Sequence, residues 1–276
     1  MKLESLYERR TRHRDYFKSL WSYRFFVTAL VREQSVGSYS ETKLGKLWNL
    51  LDPLLTAAVY YVVFGVVLGL DRGVENFPLW LVLGVFTFRT SLASWNAGAT
   101  SLTSSGGLLE DQRFPPMIVP IIKVISSFYD LMFKFIIILI LIIVSRQAIG
   151  FEILFLPLVI LAHFLITAGI TLILAKLVFH LRDIQQLFSS SFHVLRLASG
   201  VMIPVTRFDR LPPAAYRVIE FNPMHLLLEF YRYCFGINSS TVKLSEIIFM
   251  TAFLMLICSY SVIYFRRNEL EYGNDR

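Results

Sequence analysis

Six long apolar stretches divide this chain and constrain its fold more than any other feature. They lie near residues 51–70, 79–103, 126–145, 153–175, 186–206 and 244–265. A helix needs about 20 apolar residues to cross the hydrocarbon core of a bilayer. Hydrophobic residues make up 55% of the chain and charged residues only 17%, which is outside the usual composition of soluble domains. The sequence therefore predicts an all-α membrane protein with six transmembrane helices.

Lysine and arginine are concentrated at the two ends of the chain. Arg266 and Arg267 follow the last stretch, loops 71–78 and 146–152 carry one arginine each, and ten basic residues precede the first stretch: Lys2, Arg9, Arg10, Arg12, Arg14, Lys18, Arg24, Arg32, Lys43 and Lys46. Because basic residues favour the cytoplasmic side, we expect both termini in the cytoplasm. The net charge of +7 belongs to this orientation, so nucleic-acid binding is not expected.

The predicted boundaries follow from this pattern. Residues 1–48 form a cytoplasmic N-terminus, residues 49–266 the transmembrane domain, and residues 267–276 a cytoplasmic tail. The first 20 residues contain no apolar core, so they do not predict a cleavable signal peptide. Within 15–33, aromatic and basic residues recur at helical spacing, which favours an amphipathic interfacial helix over a disordered basic tail.

A second segment, 207–243, is expected on the outward side. It contains Pro212-Pro213, Asn222-Pro223 and a semi-apolar stretch, 224–235, that is too short to span and too apolar for a solvated loop. Re-entrant or surface helices fit this stretch where their backbone is buried in protein. An extracellular cap helix is the alternative.

A polar insert with a proline pair separates the second and third apolar stretches. Proline removes a backbone donor, and the residue before it is pushed out of the helical region. We therefore expect a break at the cytoplasmic interface followed by a short helix over about 110–123, offered to a partner outside the bilayer. The alternative is that the prolines merely start the next helix. The insert reads Glu110, Asp111, Gln112, Arg113, Phe114, Pro115, Pro116, Met117, Ile118, Val119 and Pro120.

The chain shows no signal for an enzyme. It lacks the G-x-x-x-x-G-K-[ST] phosphate loop, its five histidines have no metal-ligand spacing, and no Ser-His-Asp arrangement can be argued. No cofactor or metal is expected on this chain. Uphill movement of a solute would take its energy from a partner or from an ion gradient.

Four motifs resemble those of ABC-2-type permeases, in the same order along the chain. They are Leu44 to Leu55 at the entry to the first stretch, Arg113-Phe114-Pro115 with Pro120, His180 to Ile184 after the fourth stretch, and Asn222-Pro223 with Arg232. The subgroup that this chain resembles is the polysaccharide exporters, which include O-antigen, teichoic-acid and galactan permeases.

The resemblance implies a bacterial inner-membrane homodimer that binds two copies of an ABC ATPase and exports a lipid-linked glycan. ATP and Mg would be bound by that ATPase. Phe114 and Met117 would fill a pocket on it, Glu110, Asp111 and Arg113 would fix the register, and Pro115 and Pro116 would stiffen the insert. An ABC-2 exporter of a small amphiphile or drug, and a secondary transporter, are the alternatives.

Candidate substrate contacts come from aromatic and charged residues within the spans. Sugar rings stack on aromatic faces, which points to Tyr60, Tyr61, Phe64, Phe188 and Phe192, although core packing explains most such residues. Ionisable groups at membrane depth face partners or water. Asp130 and Lys134 suggest an in-helix ion pair, whereas Arg89 and Arg196 lack one and either bond carbonyls, snorkel or line the path. Candidates for contact with a lipid headgroup are Arg32, Lys43 and Lys46.

Overall fold

The computed structural model describes residues 18, 20–37, 43–69, 74, 76–104, 115–204, 212–237 and 243–267. These residues are all-helical, without a strand. The α-helices are α1 (Arg24–Gly37), α2 (Trp48–Tyr60), α3 (Phe77–Ala99), α4 (Ser101–Ser104), α5 (Ile118–Ser145), α6 (Leu156–His180), α7 (Ile184–Ala198), α8 (Pro213–Glu220), α9 (Pro223–Cys234) and α10 (Leu244–Arg266). Short 3₁₀ turns cover Gly45–Leu47 and Phe151–Phe155, and α2 continues as a π-helix over Tyr61–Val67.

Five helical segments in the described part of the chain are long and apolar enough to cross a membrane. They are Leu50–Val67, Phe77–Ala99, Ile118–Ser145, Phe151–His180 and Leu244–Arg266. They match the first four predicted stretches and the sixth. The all-α prediction is confirmed, whereas the count of six long helices is not.

The predicted fifth span, 186–206, contains a shorter helix. α7 has 15 residues, about 22 Å of helix, against a hydrocarbon core of about 30 Å. It ends before Gly200, whose φ of 66° lies in the left-handed region. Residues 199–202 are nevertheless buried. Irregular backbone at membrane depth is tolerated where protein surrounds it, so this stretch can lie inside the bundle without being helical.

α3 lies at the centre of the bundle. It packs most extensively against α5 and α6, and it also contacts α2, α7 and α9. α6 packs against α10 in parallel: a Cβ on Gly169 would contact Ile257 and Ser261, and the Lys176 ammonium donates to the Tyr264 carbonyl at 2.7 Å. The small residue Gly169 of α6 allows this close approach, as small residues do in other membrane bundles.

The bundle has two ends, the insert end and the α9 end. The insert end is where Pro115–Met117 meets the last turns of α6 and α10. The α9 end is where α6 and α10 begin and where α8 and α9 lie. At the α9 end, the Asn76 amide donates to Ser145 Oγ and Gln147 Oε1, both at 2.9 Å, and the Gln147 amide donates to the Gly236 carbonyl at 2.9 Å. These bonds join the start of α3 to the ends of α5 and α9.

Candidate functional site

The insert leads directly into α5. Glu110, Asp111, Arg113 and Phe114 lie outside the described residues. The amides of Ile118 and Val119 donate to the carbonyls of Pro115 and Pro116 at 3.0 and 3.2 Å. Residues 118–123 are therefore the first turns of α5, whereas the sequence had suggested that they belong to a separate short helix. Pro120 fits in that first turn because its missing amide hydrogen would have no intrahelical partner there.

Met117 anchors the insert to the bundle. Its side chain is only 3% exposed and shares a core cluster with Leu102, Leu172, Ala175 and Phe265. In this structure it is packed inside the chain and is not presented to a partner, which differs from the pocket-filling role expected for it. A displacement of the insert would consequently reach α6 and α10 through this cluster.

α1 presents two different faces. Val31 is buried against Ile118, Val119 and Ile122 of α5. Trp21, just before α1, and Phe25 are each 71% exposed, and the guanidinium of Arg24 lies 4.4 Å from the Phe25 ring centroid and 5.8 Å from that of Trp21. Aromatic and basic groups of this kind suit a membrane–water interface. The segment is thus attached to the first turns of α5 on one side and exposed on the other.

The three candidate headgroup contacts lie in or after α1. Arg32 is exposed on α1, and Lys43 is exposed before the 3₁₀ turn that leads into α2. Lys46 lies in that turn, and its side chain is outside the described part of the structure.

Arg89 is paired with an acidic residue of another helix. Its guanidinium forms a salt bridge with the Asp52 carboxylate and donates to Thr56 Oγ1 at 2.7 Å, both on α2. These two contacts join α3 to α2. The arginine is partly exposed, so it is not sealed into the core.

Arg196 contacts the same face of α2. Its guanidinium donates to the Tyr60 hydroxyl at 3.0 Å. Asp52, Thr56 and Tyr60 are spaced i, i+4 and i+8, so they lie along one side of the helix. Two arginines, one from α3 and one from α7, therefore hold α2 through this single row of polar side chains. The structure brings together two predicted path residues, Tyr60 and Arg196.

The predicted path aromatics fall into two groups. Phe188 and Phe192 stack with their centroids 6.3 Å apart, and Phe192 stacks on Trp95 of α3 at 5.2 Å. Phe64 meets the edge of the Tyr60 ring at 6.0 Å. Tyr61 instead lies 6.2 Å from Phe77 at the start of α3. The first four candidates are thus associated with α2, α3 and α7, and Tyr61 is directed toward the α9 end.

A buried polar network joins α3, α6 and α9. Ser91 Oγ lies 2.7 Å from His163 Nε2, and His163 Nδ1 lies 3.1 Å from the Tyr231 hydroxyl. All three side chains are buried. Buried polar groups are costly unless hydrogen-bonded, and here both ring nitrogens have partners. The network fixes α9 against α3 and α6.

The Asn222-Pro223 and Arg232 motif fastens α9 to the irregular backbone after α7. Asn222 caps α9 by accepting from the Met224 amide at 2.9 Å, while its own amide donates to Ser199 Oγ at 3.2 Å. Arg232 donates to Glu229 Oε1 at 2.7 Å and to the Gly200 carbonyl at 2.9 Å. Both ends of α9 thus reach 199–200.

Arg232 is fully buried against α3. Its guanidinium lies 3.6 Å from the Trp80 ring centroid, and a Cβ on Gly84 would approach Arg232 Nη2 and the Val201 carbonyl at 3.0 Å. Glycine at 84 therefore makes room for both groups. The motif of Asn222-Pro223 and Arg232 thus supplies hydrogen-bond partners to the chain just after the end of α7.

At the surface of the α9 end, Lys243 pairs with Glu220 at 3.1 Å, and this hydrogen bond raises the pKa of Lys243.

Sequence reasoning missed Asp52, Thr56, Ser91, His163 and Trp95. Asp52 had a usable signal, because a lone acid at the start of a span requires a partner, and Arg89 lacked one within its own helix. The other four look like ordinary residues of apolar helices. Their significance depends on which helices are neighbours, and a single sequence does not state that.

The fold and these contacts define a multi-pass membrane protein whose interior is held by inter-helix polar contacts. Residues 26–236 match the family model described as ABC-2 type transporter, and the chain belongs to that family. The family prediction is confirmed.

The chain is also similar to curated proteins named O-antigen export system permease protein RfbA. The relative from Myxococcus xanthus is 26% identical, over 79% of this chain and 83% of that protein. Two from Klebsiella pneumoniae are 20% and 21% identical, over 85% of this chain and 87% of theirs.

Proposed function

We propose that this chain is the permease subunit of an ABC exporter that moves a lipid-linked polysaccharide across the cytoplasmic membrane. The observation that carries the proposal is the similarity to O-antigen export permeases over 79% to 85% of the chain. It is joined by the family match over residues 26–236.

The proposed topology has six crossings with both termini in the cytoplasm. α7 and the buried backbone of 199–204 together make the fifth crossing, and α8 and α9 form a re-entrant pair on the outward side. The proposal is supported by the hydrogen bonds of the stretch that follows α7. Asn222 bonds the Ser199 hydroxyl, and Arg232 bonds the Gly200 carbonyl, so these polar groups have partners at membrane depth. The basic residues at both ends of the chain favour this orientation. α1 and Trp21 would lie in the cytoplasmic interface.

The proposed machine contains two copies of this chain and two ABC ATPase subunits. ATP and Mg would be bound by the ATPase, and this chain would act as a transport subunit without catalysis of its own. Glu110, Asp111, Arg113, Phe114, Pro115 and Pro116 would contact the ATPase. Met117 supports the coupling role from inside, because it connects the insert to α6 and α10.

The proposed substrate path runs along the face where α2, α3 and α7 meet. Arg196 with Tyr60, and Phe188 with Phe192, are neighbours there. Arg89 is paired with Asp52, so it would bind an anionic group of the substrate only after that salt bridge breaks. The availability of Arg89 would therefore depend on the position of α2. Arg32, Lys43 and Lys46 would attract the lipid pyrophosphate at the cytoplasmic side.

Co-expression with the ATPase encoded beside this gene tests the assembly. We expect a two-to-two complex with ATPase activity after purification in mild detergent. Phe114→Asp should reduce recovery of the ATPase without reducing membrane insertion, because a charge would replace an apolar side chain at the contact. Phe25→Asp, which changes an exposed aromatic residue of α1, is the matched control. Full ATPase recovery with Phe114→Asp would remove the insert from the contact.

A deletion strain tests the cargo. We expect a lipid-linked glycan to accumulate inside the cell and to disappear from the surface, with both effects reversed by the wild-type gene. Normal surface glycan, together with increased sensitivity to amphiphilic compounds, would instead support an ABC-2 exporter of small amphiphiles. A chain that binds no ATPase and still transports would support a secondary transporter.

A further inference from the structure

An apolar cavity of about 700 Å³ lies between α6, α9 and α10 at the α9 end of the bundle. Val159, Leu227, Cys234 and Met250 are buried in its wall. Leu158 and Ile247, which also line it, are exposed. Because α6 and α10 are both candidate spans, these exposed residues face the surrounding hydrocarbon, and the cavity opens toward the bilayer.

The depth of the cavity matches a single leaflet. Its lining residues run from Phe155, at the end of the 3₁₀ turn, to Ala162 of α6, and from Ile247 to Leu254 on α10. Seven residues of helix cover about 10 Å, and half of the hydrocarbon core is about 15 Å thick. Since α6 and α10 are parallel and begin at the same end, the cavity spans the outer part of the leaflet there and ends before the bilayer centre. An apolar space of this size and position fits a lipid chain better than a soluble ligand.

Charges beside the mouth decide which headgroup is compatible. Glu246 directly precedes Ile247, and Glu152 lies in the 3₁₀ turn that packs against α9. Lys243 is already paired with Glu220 and lies 3.9 Å from Glu246. Glu229 and Arg232, which neighbour the lining residues of α9, pair with each other. Of the other charged groups named here, the carboxylates of Glu152, Glu220 and Glu246 are opposed by the one ammonium group of Lys243. An anionic headgroup would be repelled by this set, whereas a zwitterionic headgroup that ends in an ammonium group would be attracted.

We infer that this cavity binds an acyl chain of a phosphatidylethanolamine molecule from the leaflet at the α9 end. The chain fills the space behind Leu227, and the ethanolamine group lies near Glu152 and Glu246. The bound lipid supports α9 from the side opposite its contacts with α3. This site is separate from the proposed substrate path along α2, α3 and α7, and the inference holds whichever cargo is carried.

Lipid retention by the purified full chain tests the inference. The probe is dioleoyl phosphatidylethanolamine, added to delipidated protein and counted by native mass spectrometry. Ala162→Phe fills the floor of the cavity. Thr251→Phe blocks its exposed rim without burying new volume in the core, so it remains informative where Ala162→Phe does not fold. Ala252→Phe adds the same ring at an exposed α10 position that does not line the cavity.

We expect the wild type and Ala252→Phe to retain one phosphatidylethanolamine per chain that Thr251→Phe and Ala162→Phe do not retain. Equal retention by all four proteins would overturn the site. Dioleoyl phosphatidylglycerol or a polyprenyl phosphate should be retained less well by the wild type. Retention of either one as well as phosphatidylethanolamine would overturn the assignment of the headgroup.

Discussion

α2 and α3 are both candidate spans, yet they are held in the bundle in opposite ways. The most apolar window of the α2 segment has a mean hydropathy of 1.9, and 17% of it is buried. The corresponding window of α3 is less apolar, at 1.3, but 78% of it is buried. Apolarity therefore does not rank helices by burial in a membrane, because the lipid is as apolar as the protein interior.

The difference lies in the side chains that each helix offers to its neighbours. α3 buries Thr87, Thr90, Ser91 and Ser94, small polar residues that permit close packing. Thr90 and Ser94 donate to backbone carbonyls of α3, and Ser91 contacts His163 of α6. α2 exposes large aliphatic residues and is held by its one polar row, Asp52, Thr56 and Tyr60. The helix with small polar residues, α3, therefore lies at the centre of the bundle. The more apolar α2 lies at the edge and is attached through a few polar contacts that can separate.

The largest effect is expected where a buried cation rests on α3. Arg232→Met should destabilise the protein by about 3–5 kcal/mol, because Glu229 and the Gly200 carbonyl lose a buried charged partner. Thermal unfolding in detergent, followed by tryptophan fluorescence, measures the change. Arg217→Met on α8 is the matched control, since that arginine is exposed and should change stability by no more than about 0.5 kcal/mol. Similar shifts for both variants would contradict the role of Arg232.

The next largest loss of stability is expected from overpacking the contact between α3 and α6. A Cβ on Gly98 would clash with Thr171 Cγ2 of α6, so Gly98→Leu should cost about 1–3 kcal/mol in the same assay. Ala97→Leu adds the same bulk at an exposed position of α3 and should be close to neutral. If Ala97→Leu were equally destabilising, close packing of α3 on α6 would not explain its burial.

The salt bridge between α2 and α3 should have a smaller effect on stability. A double-mutant cycle with Asp52→Asn and Arg89→Gln should give a coupling of about 0.5–1 kcal/mol, because both side chains are partly exposed. Export should fall in both single variants at unchanged expression if the position of α2 controls the path. Additive stability effects would show that the bridge does not hold α2.

The sequence predicted the helices better than the contacts between them. The apolar runs located the five long helices of the described residues. The proline insert was expected to open a separate short helix over about 110–123, whereas α5 begins at Ile118. The stop of α7 was not predicted, although 186–206 contains polar residues, Gly200 and Pro204. The helix ends just before Gly200, and the partners of the backbone there, Asn222 and Arg232, come from a distant segment. Arg89 was recognised as needing a partner, but Asp52 is 37 residues away, and only helix packing brings the two together.

The smallest effect is expected at the contact between Tyr60 of α2 and Arg196 of α7. Tyr60→Phe removes the hydroxyl that accepts from Arg196 and keeps the ring that contacts Phe64, so stability should fall by about 0.5–1 kcal/mol. Tyr61→Phe is the matched control, because the ring of Tyr61 faces Phe77 at the start of α3. A cysteine pair placed on α2 and α7 would report their separation, and Tyr60→Phe should lower the yield of the crosslink while Tyr61→Phe should not. Unchanged crosslinking in Tyr60→Phe would mean that α7 holds α2 by apolar packing alone, and the contrast with α3 would then reduce to the Arg89–Asp52 contact.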